Sequence, residues 1–304
     1  MADIASDAPI FDRTKEVVAG ELAQISPLVQ RLVAPNPGPF TFTGTCTYLV
    51  GTDHVAVIDP GPENPAHLAA LLDALKGRTL SHILVTHTHR DHSPGARALR
   101  AATGAPILGC APYKSNRDAH GVELDSSHDL DYAPDCVLKD GQRLMGKGYT
   151  LTALATPGHA SNHLCFAFAE DQALFSGDHV MAWSTTVVAP PDGEMRAYLA
   201  SLERLRGRVE TVFWPGHGGP VMDPQRQVRA LLQHRRQREA AILLRIESGD
   251  HSIEAMVERI YEGLNPMLKR GAALSVLAHL EDMVERGVVK TDGGAMLSAL
   301  YRRA

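Results

Sequence analysis

Three histidines and an aspartate lie close together in the segment Thr86-His87-Thr88-His89-Arg90-Asp91-His92. Imidazole nitrogens and carboxylate oxygens are ligands that suit zinc and similar divalent ions. In an extended segment His87, His89 and Asp91 project to one side and His92 to the other, because side chains alternate along the chain. One short loop could therefore serve two adjacent metal positions.

An apolar run, Ile83-Leu84-Val85, directly precedes this segment and predicts a buried strand. A turn at Ser93-Pro94-Gly95 and a predicted helix follow it. The residues thus lie at the carboxyl end of a strand, where an open α/β sheet presents its ligands. A histidine-rich surface loop is the alternative interpretation, and the buried strand argues against it.

The same order of apolar strand, small turn residues and then a histidine or an aspartate recurs further along the chain. It recurs at His159, at Asp178 and at His217. A single such histidine would be interpreted as structural. Several such strand ends in one chain predict that their side chains meet in one metal site.

These residues suffice for two metal ions that share a bridging carboxylate. The first predicted ligand group is His87, His89 and His159. The second predicted ligand group is Asp91, His92 and His217. Asp178 would bridge the two ions. Zinc is the expected metal, with manganese or iron as alternatives.

Paired ions would lower the pKa of a shared water toward neutrality and make a bridging hydroxide the nucleophile. They would also polarise the carbonyl or phosphoryl group under attack. Asp91 is the predicted catalytic residue, because it could position the nucleophile and pass a proton to the leaving group.

Five further residues are predicted to support the ligands or to contact substrate: Asp59, His163, His179, Trp183 and Thr186. Asp59 ends a strand at a tight turn, where it could cap the turn, orient a ligand histidine, or do both. A structural role is an equal alternative for His163, and His179 should point away from its neighbour Asp178. Trp183 and Thr186 lie on the loop that leaves the site, and a packed loop is the alternative for both.

His120 and His128 belong to a long polar segment and have no partners at ligand spacing. We expect both on the surface.

The composition is that of an ordinary globular protein of 304 residues, with 44% hydrophobic and 21% charged residues. A net charge of −5 argues against a protein that binds nucleic acid over a broad surface. The four cysteines are scattered, as expected for free thiols in a reducing compartment. The amino terminus has no basic segment followed by an apolar core, and no apolar run is long enough for a membrane span. We therefore expect a cytoplasmic protein without a signal peptide.

Taken together, the motifs resemble the metallo-β-lactamase fold superfamily. They are H-x-H-x-D-H at 87–92, P-G-H at 157–159, G-D at 177–178, P-G-H-G at 215–218 and D-P-G at 59–61. The resemblance implies an α/β fold, a four-layered αββα sandwich, with a dinuclear metal site at its edge. With an aspartate at position 178, the chain resembles the glyoxalase II, lactonase and RNase Z branch of the superfamily rather than the true zinc β-lactamases.

The sequence downstream of Asp178 is similar to a group that includes lactamase-like endoribonucleases and fungal thioesterases acting on carrier-protein-bound polyketides. The resemblance implies a dinuclear hydrolase of an ester, thioester or lactone, with a small-molecule or acyl substrate. Endoribonuclease activity on single-stranded RNA is the alternative within the same mechanism. A non-catalytic binding protein on a degenerate site is an alternative of another class, and the complete ligand set argues against it.

From about Asp223 the pattern becomes helical, with three predicted helices and a short hairpin within 288–300. In keeping with the resembled group, we predict a catalytic domain over 1–222 and a winged-helix-like module over 223–304. Arg235, Arg236 and Arg238 are the candidate basic patch for RNA. A solvated helix face that walls the active site and a homodimer contact are the alternatives.

Overall fold

Two β-sheets carry the first two thirds of the chain. The computed structural model describes residues 9–14, 17–114 and 128–304. The first sheet holds seven strands in sequential order: β1 (Leu22–Ser26), β2 (Val29–Val33), β3 (Cys46–Val50), β4 (His54–Ile58), β5 (Thr79–Val85), β6 (Ile107–Gly109) and β7 (Cys136–Val137). Strands β1 to β4 pair antiparallel, and β4 to β7 pair parallel.

The second sheet holds five strands: β8 (Arg143–Gly146), β9 (Tyr149–Ala155), β10 (Leu164–Phe168), β11 (Ala173–Gly177) and β12 (Val212–Pro215). Strands β8 to β11 pair antiparallel, and β12 runs parallel to β11.

Alternation along the second sheet separates two apolar cores. In β10, Phe166 and Phe168 pack with the first sheet, whereas Cys165 and Ala167 pack on the other side. Successive side chains of a strand point to opposite faces, so one strand serves both cores. The inner core lies between the sheets, and the outer core lies between the second sheet and helices.

Helices cover both outer faces. Helices α1 (Pro65–Ala74) and α2 (Gly95–Thr103) share the apolar cluster of the first sheet. Helix α3 (Met195–Leu205) and the first half of α4 (Pro224–Glu247) cover the second sheet. Asn64 and Asp223 cap α1 and α4 by accepting hydrogen bonds from backbone N–H groups of the first turn. The layer order is helix, sheet, sheet, helix, as the family resemblance implies.

The carboxyl-terminal part contains the second half of α4, then α5 (Ile253–Ile260), α6 (Pro266–Glu285) and a hairpin of β13 (Val289–Thr291) with β14 (Tyr301–Arg303). These elements have an apolar core of their own, to which α4 contributes Ile242 and Ile246. Helix α4 therefore belongs to two cores, because its earlier residues Leu231 and Leu232 pack against the second sheet.

Two predicted strand pairings were wrong. The sequence predicts a strand at Val137-Leu138 paired with a strand over Tyr149–Ala155, but β7 lies in the first sheet and β8 is the partner of β9. The turn around Gly141, whose φ is +74°, separates β7 from β8, so the chain passes there from one sheet to the other. The hairpin partner of β13 lies at 301–303, beyond the predicted limit at residue 300.

No helix in the described ranges is long and apolar enough to cross a bilayer.

Candidate metal centre

Strand ends from both sheets meet at one edge of the sandwich. Asp59 and His87 follow β4 and β5 of the first sheet. His159, Asp178 and His217 follow β9, β11 and β12 of the second sheet. An isolated bridge between Thr45 and His217 and a hydrogen bond from Cys46 N to Gly216 O tie the two sheets together beside the site.

The first predicted ligand group converges. Ligand atoms of His87, His89 and His159 all lie within 4.8 Å of one another. His89 Nδ1 faces His159 Nε2 at 3.1 Å. These three side chains come from two strand ends in different sheets, so the fold itself brings them together.

The second predicted group, Asp91, His92 and His217, converges in the same way. Asp91 Oδ2 lies 3.3 Å from His92 Nε2 and 3.2 Å from His217 Nε2. Asp91 is the most open of these, with its side chain 23% exposed, so it faces the mouth of the site.

Asp178 lies between the two groups. Its Oδ2 is 3.5 Å from His159 Nε2 in the first group and 3.3 Å from His217 Nε2 in the second. Its Oδ1 is 3.6 Å from His92 Nε2. Gly216 makes room for this carboxylate, because a Cβ there would lie 2.3 Å from Asp178 Oδ1. The position is that of a carboxylate able to bridge two ions.

Outer hydrogen bonds fix the ring tautomers. His92 Nδ1 donates to Asp59 Oδ2 at 2.9 Å, His159 Nδ1 to Val187 O at 2.7 Å, and His217 Nδ1 to Gly44 O at 3.2 Å. Carboxylate and carbonyl oxygens only accept, so the proton must be on Nδ1. Each of these rings therefore directs Nε2 toward the centre of the site.

Asp59 organises two of the rings. Its oxygens accept from Thr86 N at 2.8 Å, from Thr86 Oγ1 at 2.7 Å and from His92 Nδ1. Because the Thr86 hydroxyl gives its proton to Asp59, its oxygen accepts from His87 Nδ1 at 2.9 Å. Asp59 also lies within ligand distance of His87 and His92, but both its oxygens are already hydrogen-bonded. Of the predicted roles, orientation of ligand histidines fits this geometry.

Three buried polar atoms aim into the site and make no hydrogen bond with any described residue. They are His87 Nε2, His92 Nε2 and Asp178 Oδ1. Buried polar atoms are nearly always paired, so such a cluster needs a partner that the protein does not supply. A nitrogen and oxygen donor set of this composition fits two divalent ions.

Charge is distributed unevenly across the site. Burial acts to lower the pKa of His92, but the carboxylates of Asp91, Asp178 and Asp59 outweigh it and raise that pKa well above its ordinary value. Burial and the neighbouring imidazoles of His92 and His89 lower the pKa of His87 well below its ordinary value. The first group is therefore neutral, and the carboxylates concentrate around the second.

His163 supports Asp178 from behind. Its Nε2 accepts the backbone N–H of Asp178 at 3.2 Å, and its Nδ1 donates to Thr156 Oγ1 at 2.9 Å. Burial, with the neighbouring rings of His179 and His159, lowers its pKa well below the ordinary value. It is a neutral ring with both nitrogens in use, and this matches the predicted supporting role rather than contact with substrate.

His179 and Thr186 also lie behind the site. The His179 ring packs against Tyr198, with ring centroids 4.7 Å apart, and burial lowers its pKa to about 3. Thr186 is 1% exposed, and its hydroxyl contacts the backbone carbonyls of Asp178 at 2.8 Å and His179 at 3.0 Å. Both side chains are buried.

Trp183 is half-buried and stacks on Phe42, with ring centroids 4.9 Å apart and planes at 10°. The pair lies on Gly218, next to His217, where a Cβ would meet Trp183 Cδ1 at 2.9 Å. Phe42 has a φ of +54°, a strained conformation for a bulky residue that is common beside functional sites. Together the rings form an apolar wall beside the second ligand group.

The surface position expected for His128 was wrong. His128 is 8% exposed, pairs with Asp192 at 3.0 Å and stacks on Tyr113. Its Nδ1 lies 2.7 Å from Thr88 Oγ1, and its ring contacts that of His89. Its partner Asp192 comes from the loop before α3, which spacing in the sequence cannot reveal. His120 lies outside the described residues.

Thr45 was also missed from the sequence. Its hydroxyl donates to Asp91 Oδ2 at 3.0 Å and so orients the predicted catalytic carboxylate. A threonine in a Pro/Gly-rich loop carries no signal of such a role.

The candidate basic patch does not form a face. Arg235 is 3% exposed, and Arg238 is half-buried over the ring of Tyr261 at 4.1 Å. Arg236 is exposed but pairs with Glu203 at 3.3 Å. Arg235 and Arg238 are neighbours three residues apart on α4 but are buried and half-buried, and only Arg236 is exposed to solvent.

Residues 40–217, more than half of the chain, match the metallo-beta-lactamase superfamily. The chain belongs to this superfamily. Residues 252–295 match the beta-lactamase associated winged helix domain. Both matches confirm the family and the carboxyl-terminal winged-helix fold that the resemblance implies.

The chain is also similar to curated proteins with lactamase-like and thioesterase names. The lactamase-like protein adaB of Aspergillus niger is 33% identical over 230 residues, which cover 75% of this chain and 66%, just under two thirds, of adaB. The atrochrysone carboxyl ACP thioesterase of Claviceps purpurea is 31% identical over 79% of this chain and 74% of its own. A beta-lactamase-like protein 2 homolog of Caenorhabditis elegans is 32% identical over 88% of both chains.

Solved structures share the fold. A metallo-beta-lactamase family protein from Thermus thermophilus aligns with a TM-score of 0.74 at 24% identity, over 92% of this chain and 100% of that chain. A beta-lactamase domain protein from Burkholderia ambifaria aligns with a TM-score of 0.78 at 19% identity, over 97% of both chains. At these identities the likeness shows the fold alone.

Proposed function

We propose that the protein is a dinuclear metal-dependent acyl hydrolase that cleaves an ester, thioester or lactone. His87, His89 and His159 would hold one divalent ion, Asp91, His92 and His217 the other, and Asp178 both. The observation that carries the proposal is the set of inward-facing Nε2 atoms gathered around Asp178. Zinc is the metal that this donor set suits best, with manganese or iron as alternatives.

When bound, the ions would polarise the scissile carbonyl and activate water at neutral pH. The protein supplies the proton transfer and the orientation. Asp91, held at Oδ2 by the Thr45 hydroxyl at 3.0 Å and with its side chain 23% exposed, would take a proton from the attacking water and give it to the leaving sulfur or oxygen. Asp59 keeps His87 and His92 in the tautomers that leave their Nε2 atoms free.

Two observations favour an acyl substrate over RNA. The Phe42 and Trp183 wall offers apolar surface beside His217, as an acyl chain or aromatic ring would need. The three arginines considered for RNA do not present a common positive face. The relatives named as ACP thioesterases support a carrier-bound or pantetheine-linked thioester as the first substrate to test.

The test uses metal-loaded full-length protein with an S-acyl pantetheine thioester, a simple ester and a lactone, each beside a single-stranded RNA. Asp178→Asn is the control for contaminating activity. We expect thioester or lactone turnover that falls about 100-fold in Asp178→Asn, together with a lower metal content, because an amide bridges two cations poorly. RNA cleavage that the variant loses, without acyl turnover, would replace this proposal with an endoribonuclease. Fewer than one bound ion per chain would overturn the dinuclear centre.

A further inference from the structure

Arg235 is a buried charge without a carboxylate partner. The residue is 3% exposed, and no ion pair to it is found among residues 9–14, 17–114 and 128–304. Burying an unpaired charge is costly, and an apolar residue would fill a helix interface at lower cost. Its neighbours Val228, Leu231 and Leu232 on α4 show the apolar alternative. Packing alone therefore does not explain why an arginine occupies this position.

Its partners are three groups from three elements. Nη2 donates to the backbone carbonyl of Thr186 in a short hydrogen bond, and Nη1 lies 3.4 Å from Ser275 Oγ on α6. The guanidinium carbon lies 5.2 Å from the ring centroid of Tyr198 on α3. Charge-assisted hydrogen bonds and cation–π contacts are among the stronger polar interactions that a buried arginine can make.

The Thr186 carbonyl lies in the segment Thr186–Val187, which contacts two predicted ligands. The Thr186 hydroxyl donates to the carbonyls of Asp178 and His179. The next residue, Val187, accepts Nδ1–H of His159 at 2.7 Å through its own carbonyl. Tyr198, under the guanidinium, donates its hydroxyl to the carbonyl of His179 at 3.1 Å. Arg235 therefore holds the backbone at Thr186. The contacts with Asp178 and His159 come from Thr186 itself and from the next residue, Val187.

We propose that Arg235 is a positioning residue for the metal centre. From a helix shared with the carboxyl-terminal module, it fixes the Thr186–Val187 peptide, which in turn fixes Asp178 and the ring of His159. The inference rests on the dinuclear centre proposed above. It assigns to α4 a part in metal binding that lies outside the ligand motifs.

The test measures metal affinity directly, by zinc competition with a chromophoric chelator, and the unfolding temperature of the metal-free protein. Arg235→Lys keeps the charge but loses the planar fork, and Arg235→Gln loses both. We expect both variants to bind zinc at least about 10-fold more weakly, as is typical when a group supporting a metal ligand is removed. Leu231→Ala is the matched control, since it creates a cavity on the same face of α4 and removes no hydrogen bond to the loop. It should lower the unfolding temperature and leave zinc affinity unchanged.

Wild-type zinc affinity in both Arg235 variants would overturn the inference, whatever their unfolding temperatures. An equal loss of affinity in Leu231→Ala would also overturn it, because general destabilisation would then be the cause. If the Arg235 variants do not fold, Thr186→Val decides. It removes only the hydroxyl that reaches Asp178, and unchanged affinity in it would contradict the proposed path. Absence of zinc binding in the wild type would instead overturn the dinuclear centre itself.

Discussion

Asp59 orients two predicted ligands, His92 directly and His87 through the Thr86 hydroxyl. It has a φ of +50°, an uncommon conformation that aspartate tolerates better than most residues, and its carboxylate accepts three hydrogen bonds. Strain of this kind is retained where the surrounding structure requires a particular side-chain position.

Asp59→Asn should weaken metal binding about 10- to 100-fold, because the amide loses the charge and turns one acceptor into a donor. The backbone conformation should survive, since asparagine adopts positive φ readily. Chelator competition measures the effect, with the exposed carboxylate variant Asp73→Asn as the control. Wild-type affinity in Asp59→Asn would show that the ligand rings are held without it.

His67 makes the native state sensitive to acid. Thr47 donates its hydroxyl to Asp59 O at 2.6 Å, so the Thr47 oxygen must accept from His67 Nε2–H at 2.9 Å. His67 Nδ1 is buried and makes no hydrogen bond with any described residue. Burial lowers the pKa of His67 from 6.5 to about 4. The His67 ring is therefore neutral in the folded protein above about pH 4.

Between pH 6.5 and 4 the unfolded chain binds a proton at His67 that the native chain does not, so native stability falls as the pH falls through this range. Between pH 7.5 and 5 the loss attributable to His67 is roughly 2 kcal/mol. His67→Gln should remove this part of the pH dependence in the metal-free protein. Denaturant unfolding at the two pH values measures it, and equal losses in variant and wild type would contradict the prediction.

Among the structural elements, the loop from Asp178 to Val188 contributes both to the predicted metal site and to the apolar wall beside it. Its inner side carries Asp178 and supports His159, and its outer side presents Trp183 against Phe42. One segment thus determines both ligand position and the wall of the mouth.

Trp183→Ala should raise KM for an acyl thioester about 10-fold with a smaller effect on kcat, because in the proposed function the ring would contact the acyl group rather than the reacting atoms. Trp183→Phe is the matched control and should retain most of the affinity, since stacking on Phe42 is preserved. A KM that is unchanged in Trp183→Ala would remove this wall from the substrate site.

The elements that carry ligands could be predicted because an apolar strand followed by a turn and a histidine is a local pattern. The supports of those ligands could not, since Val187 O and Gly44 O are backbone atoms that every residue possesses. His128 was misplaced because its partner Asp192 is distant in sequence and near only in the fold. Strand β7 was assigned to the wrong sheet because a pair of residues has too little periodicity to identify its neighbours.

At the scale of the whole molecule, α4 joins the catalytic sandwich to the winged-helix module. Leu231 is fully buried in the core of the second sheet, and Ile242 is fully buried in the module's own core. The boundary proposed between residues 222 and 223 therefore separates sequence patterns, whereas the packing is shared along one continuous helix.

Leu231→Ala and Ile242→Ala should each cost about 2–5 kcal/mol, the range for a leucine or isoleucine cavity in a well-packed core. Because α4 couples the two cores, we expect each variant to unfold in a single transition at a lower temperature than wild type. Differential scanning calorimetry measures this. Two resolved transitions, with only one shifted by each substitution, would show that the module is thermodynamically independent.

The tautomer-fixing contacts of His159 and His217 end on the carbonyls of Val187 and Gly44. A backbone acceptor survives any substitution that leaves the backbone in place, so Val187 can change without loss of its carbonyl. Gly44 is constrained, because a Cβ there would lie 2.1 Å from Ala34 O, but the other residues of its loop can change. Those same loops carry Phe42 and Trp183. During evolution, or in directed mutagenesis, the surface that meets the substrate can therefore vary while the orientation of the metal-binding rings is inherited unchanged.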